Sequence, residues 1–304
     1  MKVCAGIVLY DPDIERLALC IKAIRHQVDL LIIVDNASGN VTDVSSKFND
    51  EKYIWIKNNS NLGIAAALNQ IINYAEKNNY EWVLTLDQDS ICEDGLVQKL
   101  TAAVKDDKIA MVAPQIIDRG ISEAELKDTK PLPETESTKM CITSGCLTNV
   151  KAVLETGGFN EWLFIYEVDR EICIRLLRMG YKLVRVNTTK LFHEHGTKTV
   201  NRKFIWKKVT YRNYSPTAVY YQTRNLVFML RKYGKERSSC PVLRWIRLYL
   251  AFSVKFICEP ERAKRFKAFT TGIKDGISVD IKVVTPPSPD QRPLTNKSGH
   301  TPVP

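Results

Sequence analysis

Four short apolar runs, each ending in polar residues and alternating with segments of helical spacing, constrain this chain more than any other feature. Lys2 to Tyr10 reads as a buried strand broken by Asp11-Pro12, after which Ile14, Leu17, Ala18, Ile21 and Ile24 recur at helical intervals. Leu30 to Val34 is a second continuous run and ends at Asp35; Tyr53 to Ile56 is a third. A helix over Ile64 to Ala75 precedes the fourth, Trp82 to Leu86, which ends at Asp87. A helix over 94–104 and a strand over Ala110 to Val112 continue the alternation. Strands separated by helices at this spacing predict a parallel, doubly wound α/β sheet flanked by helices. Ligands of such sheets bind at the carboxyl ends of the strands, where Asp35 and Asp87 fall.

With 304 residues and 44% hydrophobic content, the chain can bury the core of one large domain with an appendage. Its eight cysteines are scattered without a Cys-x-x-Cys pair, and Met1-Lys-Val-Cys-Ala-Gly leads into a strand rather than a signal peptide, so a cytoplasmic location is expected. The net charge of +10 is uneven: Arg231 to Lys267 holds eleven Lys and Arg against three Glu, a local excess of +8. Such a block suits an anionic partner, either nucleic acid or a phospholipid surface. The aromatic residues near it follow helical hydrophobic spacing instead of forming a base-stacking platform, which argues against nucleic acid.

The chemistry concentrates in Val83-Leu-Thr-Leu-Asp87-Gln-Asp89-Ser90. A strand continuing past Leu86 puts Asp87 and Asp89 on one side and Gln88 on the other. Two carboxylates so placed can hold Mg2+ or Mn2+, hard cations that bind one or two carboxylates together with substrate phosphates. A solvated turn or helix cap is the plainer reading of Asp-x-Asp. Gly-x-Gly-x-x-Gly and Gly-x4-Gly-Lys-Ser/Thr are both absent, so a diphosphate would have to be held by a metal rather than a glycine-rich cradle.

Ile33-Val-Asp35-Asn-Ala-Ser38, Asn61-Leu-Gly63-Ile-Ala-Ala-Ala-Leu-Asn69, Leu86-Asp-Gln-Asp-Ser90, Gly157-Gly-Phe-Asn-Glu161 and Phe164-Ile-Tyr-Glu-Val-Asp169 together resemble glycosyltransferase family 2 in order and spacing over about residues 3 to 200. The Asp-Gln-Asp-Ser run and the later Tyr220-Tyr221-Gln-Thr-Arg224-Asn225 are similar to the family's rhamnosyltransferase-like branch. The resemblance implies a GT-A type α/β fold with a mostly parallel sheet. It also implies transfer of a sugar, by inversion and with a divalent cation, from a nucleoside diphosphate to a glycan acceptor. L-Rhamnose from dTDP-rhamnose is the donor expected, and a UDP- or GDP-sugar, or a chain that binds sugar nucleotides without turnover, are the alternatives. The implied acceptor is a lipid-linked glycan in bacterial surface polysaccharide synthesis, with polyprenyl diphosphate as a candidate carrier.

Carried over position by position, the resemblance assigns donor binding to Tyr10, Asp35, Asn61, Gly63, Asp87 and Arg224, with Asp35 at the pyrimidine base and Asp87 at the ribose or the metal shell. Asp89 and His193 become metal ligands, although a hydrogen-bonded loop histidine is the plain alternative for His193. Asp169 becomes the general base. The family's Glu before that Asp is replaced here by Val168, with Glu171 at a later acidic position and Glu167 as a competing base. Trp162, Glu167 and Glu171 are the acceptor candidates, and core packing competes for Trp162 as helix packing does for Arg224.

The chain then divides into a catalytic domain over 1–228, a basic amphipathic helical extension over 229–284 and a disordered tail over 285–304, rich in Pro, Ser and Thr. On a helix, Arg244, Arg247 and Lys255 fall within an arc of roughly 80°. They could meet anionic lipid peripherally on the inner face of the cell membrane, or remain the exposed edge of a packed helix.

Overall fold

A computed structural model describes residues 1–118, 132–193, 199–204, 207–212, 214–237 and 261–282. The expected order appears at the start: β1 (Val3–Leu9), α1 (Ile14–Ile24), β2 (Leu30–Asp35), α2 (Val41–Lys47), β3 (Tyr53–Lys57), α3 (Ile64–Lys77) and β4 (Trp82–Asp87). Asp13 starts α1 by accepting from the amides of Glu15 and Arg16, the capping that follows a strand-breaking Asp-Pro. β5 (Ile91–Cys92), α4 (Leu96–Ala102), β6 (Ile109–Asp118), β7 (Thr135–Thr138), β8 (Cys146–Asn149) and α5 (Val150–Glu155) follow. The chain continues through α6 (Val168–Arg178), β9 (Lys182–His193), the hairpin of β10 (Thr199–Phe204) and β11 (Lys207–Arg212), α7 (Pro216–Arg237) and α8 (Arg262–Ser278).

The nine-stranded sheet has the order β3-β2-β1-β4-β8-β6-β9-β5, with β7 on β9. β1, β2, β3 and β4 are parallel, and β6 pairs in parallel with β9, whereas β8 runs against both β4 and β6. The sheet is therefore mostly parallel, as expected, with β8 as an antiparallel member between β4 and β6. Alternate residues of β1 explain its unbroken apolar run: Val3, Ala5, Ile7 and Leu9 join the cluster under α1 and α4, while Cys4 and Val8 join the one under α3, α5 and α6. Gly6 lets α3 approach closely, since a Cβ there would lie 2.5 Å from Ile71 Cγ2.

Register then sets the functional edge. Leu9 pairs with Asp35 and Val8 with Asp87, so two carboxylates flank the carboxyl end of the central β1. α7 runs through residue 228, the expected end of the catalytic domain, and Phe228, Met229 and Tyr233 on it are buried in the core. α8 docks on α7, where Cβ atoms at Gly272 and Gly276 would lie 2.8 Å from Tyr220 O and 2.7 Å from Arg224 O. Residues 244–256 and 285–304 lie outside the described residues. Among those described, no helix is long and apolar enough to cross a membrane.

Candidate active site

A cleft of about 380 Å³ opens at the carboxyl ends of β1 and β4. Tyr10, Asn36, Asn61, Gly63, Asp87, Gln88, Asp89 and His193 line it, with Phe164, Ile165 and Tyr166 forming the opposite wall. Ligand atoms of Asp87, Asp89 and His193 lie within 4.8 Å of one another. Asp89 Oδ1 is buried without a hydrogen-bond partner and sits 3.8 Å from His193 Nδ1. Burial, followed by repulsion from Asp89 and Asp169, pushes the Asp87 carboxyl up to about 7. Crowded carboxylates with an orphaned buried oxygen and an imidazole fit a divalent cation, which would supply the missing positive charge.

The loop carrying the two aspartates is pinned from both sides. Gln88 turns away from them, as alternation requires; its Oε1 accepts from Tyr10 N at 2.9 Å and its Nε2 donates to Tyr10 O at 3.2 Å. The Asp87 amide donates to Ser144 Oγ at 3.0 Å, Ser144 Oγ lies 2.8 Å from Ser90 Oγ, and Ser90 Oγ lies 2.9 Å from His193 Nδ1. This buried hydroxyl chain orients His193 from β9 toward the loop after β4. Sequence reasoning missed Ser144, because nothing local marks a serine ahead of an antiparallel strand.

Around the nucleotide end, Asp35 is 2% exposed; its Oδ2 accepts from Ser38 N at 3.1 Å and its Oδ1 has no hydrogen-bond partner. A buried carboxylate oxygen without a donor is suited to an N–H of a bound base. Asn36 donates to Gly63 O at 3.1 Å, and Asn61 Oδ1 accepts from Gly63 N at 2.9 Å, so the turn before α3 is fixed by Asn61 within it and by Asn36 from the loop after β2. Gly63 is required there: φ is +85°, and a Cβ would lie 2.5 Å from the Phe164 ring and 2.7 Å from Phe164 O.

Asp169 lies in the first turn of α6, and Oδ1 accepts from Arg170 N at 2.8 Å. Desolvation raises its carboxyl to about 6, with Glu167 adding repulsion and Arg170 opposing it. Glu167 occupies the N-cap with φ +63°, and Arg170 Nε is 3.7 Å from its carboxylate.

Three candidates go elsewhere. Arg224 does not line the cleft; its guanidinium lies 4.0 Å over the Trp162 ring and donates to the carbonyls of Trp162 and Leu163. Trp162 packs on Phe228, with ring centroids 5.1 Å apart. Glu171 is fully buried between Arg175 at 2.7 Å and Lys232 at 3.0 Å, and Tyr233 OH donates to it at 2.7 Å. Burial opposes its charge, but Arg175 and Lys232 more than offset that and hold its carboxyl below the usual range. None of these three is among the residues that line this cleft, and neither are Asp35, Glu167 and Asp169.

A carboxylate-rich cleft at the strand ends of this fold coincides with a family model described as glycosyl transferase family 2, which matches residues 5–209. The chain belongs to that family. A relative from Shigella flexneri named dTDP-rhamnosyl transferase RfbF is 28% identical over 242 residues, covering 76% of this chain and 80% of its own length. The solved structure of GalNAc-T7 with UDP, GalNAc and Mn2+ superposes with a TM-score of 0.55 at 16% identity, over 76% of this chain and 48% of that one. The chain thus spans about half the length of that structure, and the likeness is one of fold, the GT-A type. As a family 2 member, the protein is a glycosyltransferase.

Proposed function

We propose that this glycosyltransferase moves L-rhamnose from dTDP-rhamnose onto a glycan acceptor in a single inverting displacement, with Asp169 as general base. The convergence of Asp87, Asp89 and His193 on a cleft whose electrostatics also involve Asp169 carries this reading. Asp169 takes the proton of the acceptor hydroxyl as its oxygen bonds to the anomeric carbon, and the bond to the diphosphate breaks with its electron pair leaving on the nucleotide. Asp89 and His193, with Asp87 in reach, would hold a divalent cation; when bound it offsets the charge developing on the leaving diphosphate. Asp35 receives the base, and Tyr10, Asn61 and Gly63 frame the nucleotide. A β-linked donor would give an α-L-rhamnoside.

The relative's printed name supports dTDP-rhamnose as donor. A lipid-linked acceptor at an anionic membrane surface is supported by the +10 charge and by Lys264, Lys267 and Lys274, all exposed on α8. Thermal shift with dTDP, UDP, GDP and CMP, each with and without Mn2+ or Mg2+, tests the donor. A ligand at about 100 times its Kd adds roughly 2.7 kcal/mol. Metal-dependent stabilisation by dTDP, lost in Asp89→Ala, is expected. Stabilisation by UDP or GDP instead would replace rhamnose as the sugar, and no response to any nucleotide would overturn the assignment.

A further inference from the structure

The segment bearing Asp169 enters through an unfavourable turn. Phe164, Tyr166 and Glu167 have φ of +63°, +65° and +63°, values that non-glycine residues hold only where their surroundings impose them. Most of those surroundings come from one helix, α7. Asn225 Nδ2 lies 2.8 Å from Leu163 O, 2.6 Å from Ile165 O and 3.0 Å from Tyr166 O, while its Oδ1 accepts from Arg224 Nε at 3.0 Å. Arg224 holds the carbonyls of Trp162 and Leu163, and the Tyr221 ring stacks on Phe164 with centroids 4.7 Å apart. From the other side, the amide of Ile64 at the start of α3 donates to Phe164 O at 2.7 Å.

Two turns further along α7, Lys232 and Tyr233 bind Glu171, two residues beyond Asp169. Arg175 completes this buried cluster and also donates to Thr156 O and Gly158 O, tying α6 to the turn behind it. Asn225 and Lys232 are seven residues apart and so share one face of α7. Asp169 is therefore bracketed: its entering turn hangs on Asn225 and its outgoing helix on Lys232. None of Arg224, Asn225, Lys232 and Tyr233 lines the cleft.

We propose that α7 is the positioning element for the general base. Asn225 and Arg224 fix the strained turn before Asp169, and Lys232 and Tyr233, through Glu171, fix the helix after it. This rests on Asp169 being the base. The pattern Tyr220-Tyr221-Gln-Thr-Arg224-Asn225, whose Arg is a donor-binding candidate, thereby acquires a role in holding backbone carbonyls.

Aspartate-selective 13C labelling, with Asp169→Asn to assign the signal, gives the titration of the Asp169 carboxyl in the wild type, Asn225→Ser, Lys232→Met and Lys232→Arg. Release of dTDP from dTDP-rhamnose to water, normalised to sites by dTDP binding, is followed in the same proteins. Asn225→Ser and Lys232→Met are expected to displace the titration and to lower release by about tenfold or more, within the range that general bases contribute, with dTDP affinity retained. Lys232→Arg, which keeps the ion pair, is expected to match the wild type. A role confined to global stability would lower Tm without moving the titration, and an unmoved titration in folded Lys232→Met and Asn225→Ser would overturn the proposal. Should Asn225→Ser fail to fold, the Met and Arg variants of Lys232 decide. Undiminished release in Asp169→Asn would remove the base reading itself, an outcome that the titrations of the α7 variants cannot mimic.

Discussion

Asp169 carries a penalty that its proposed role as general base explains. Burial raises its carboxyl from an ordinary 3.8 to about 6, so the folded protein binds that proton more tightly than the unfolded chain. The stabilising contribution is complete below about pH 4 and is lost as pH rises through about 6; above that, the ionised carboxylate costs up to about 3 kcal/mol. Asp169→Asn keeps the acceptor for Arg170 N without the charge. At pH 8 its apoprotein should melt above the wild type by the equivalent of about 1–3 kcal/mol, with the gap closing below pH 4. Its turnover should fall by about 10²–10⁴ with nucleotide affinity nearly intact. A lower Tm at pH 8 would mean that the carboxylate is structurally paired, and retained turnover would move the base to Glu167. In the wild type, turnover should rise with pH through about 6 as Asp169 loses its proton. A rate flat from pH 5 to 8 would contradict that assignment.

At the scale of elements, the turn before α3 and the wall of the cleft stand or fall together. Gly63→Ala would push a Cβ into Phe164 at a backbone angle that alanine rarely adopts, and the loop could yield only by breaking the Ile64 N to Phe164 O bond. A loss of about 1–3 kcal/mol, read by chemical denaturation, and weaker nucleotide binding are expected. A variant with wild-type stability and affinity would show that the loop does not need this close approach. Legibility follows the same divide. β1, β2 and β4 were readable because strands buried on both faces must be continuously apolar, and the aspartates that end them were readable as strand-end residues. β8 was not, because four residues paired antiparallel between β4 and β6 leave no periodic signal and depend on a topology set elsewhere. Ser144 was lost with it. Arg224, Glu171 and Trp162 have the residue types of a substrate site, but only the packing of α7 on α6 and on the loop before it decides that Arg224 meets Trp162 and that Glu171 enters a buried ion cluster.

At the scale of the molecule, the cleft and the basic charge are linked through α7, which holds the turn before Asp169 on one face and receives α8 on another. α8 buries Arg265, Phe269, Gly272 and Gly276 against the domain and leaves Arg262, Lys264, Lys267 and Lys274 exposed. Tyr220 OH donates to Asp275 at 2.8 Å, and Arg231 donates to the carbonyls of Gly276 and Val279 at 2.8 and 2.9 Å, so the helix cannot slide freely along its partner. A basic face held rigidly to the catalytic domain would present the cleft to an anionic surface in a fixed orientation. Each lysine near such a surface contributes about 1 kcal/mol at physiological salt. Co-sedimentation with vesicles of phosphatidylcholine and phosphatidylglycerol should therefore show binding that grows with the anionic fraction and fades as salt shortens the Debye length. Replacing Lys264, Lys267 and Lys274 with Gln should weaken it by about 3 kcal/mol if all three face lipid, roughly a hundredfold in partition. The triple variant should keep the wild-type Tm and dTDP affinity, since Lys267 and Lys274 project from α8 on the side opposite its buried stripe. Undiminished vesicle binding would assign the contact to other basic residues of the chain. Absence of binding by the wild type to any anionic vesicle would end the membrane reading and leave a glycosyltransferase that meets its acceptor in solution.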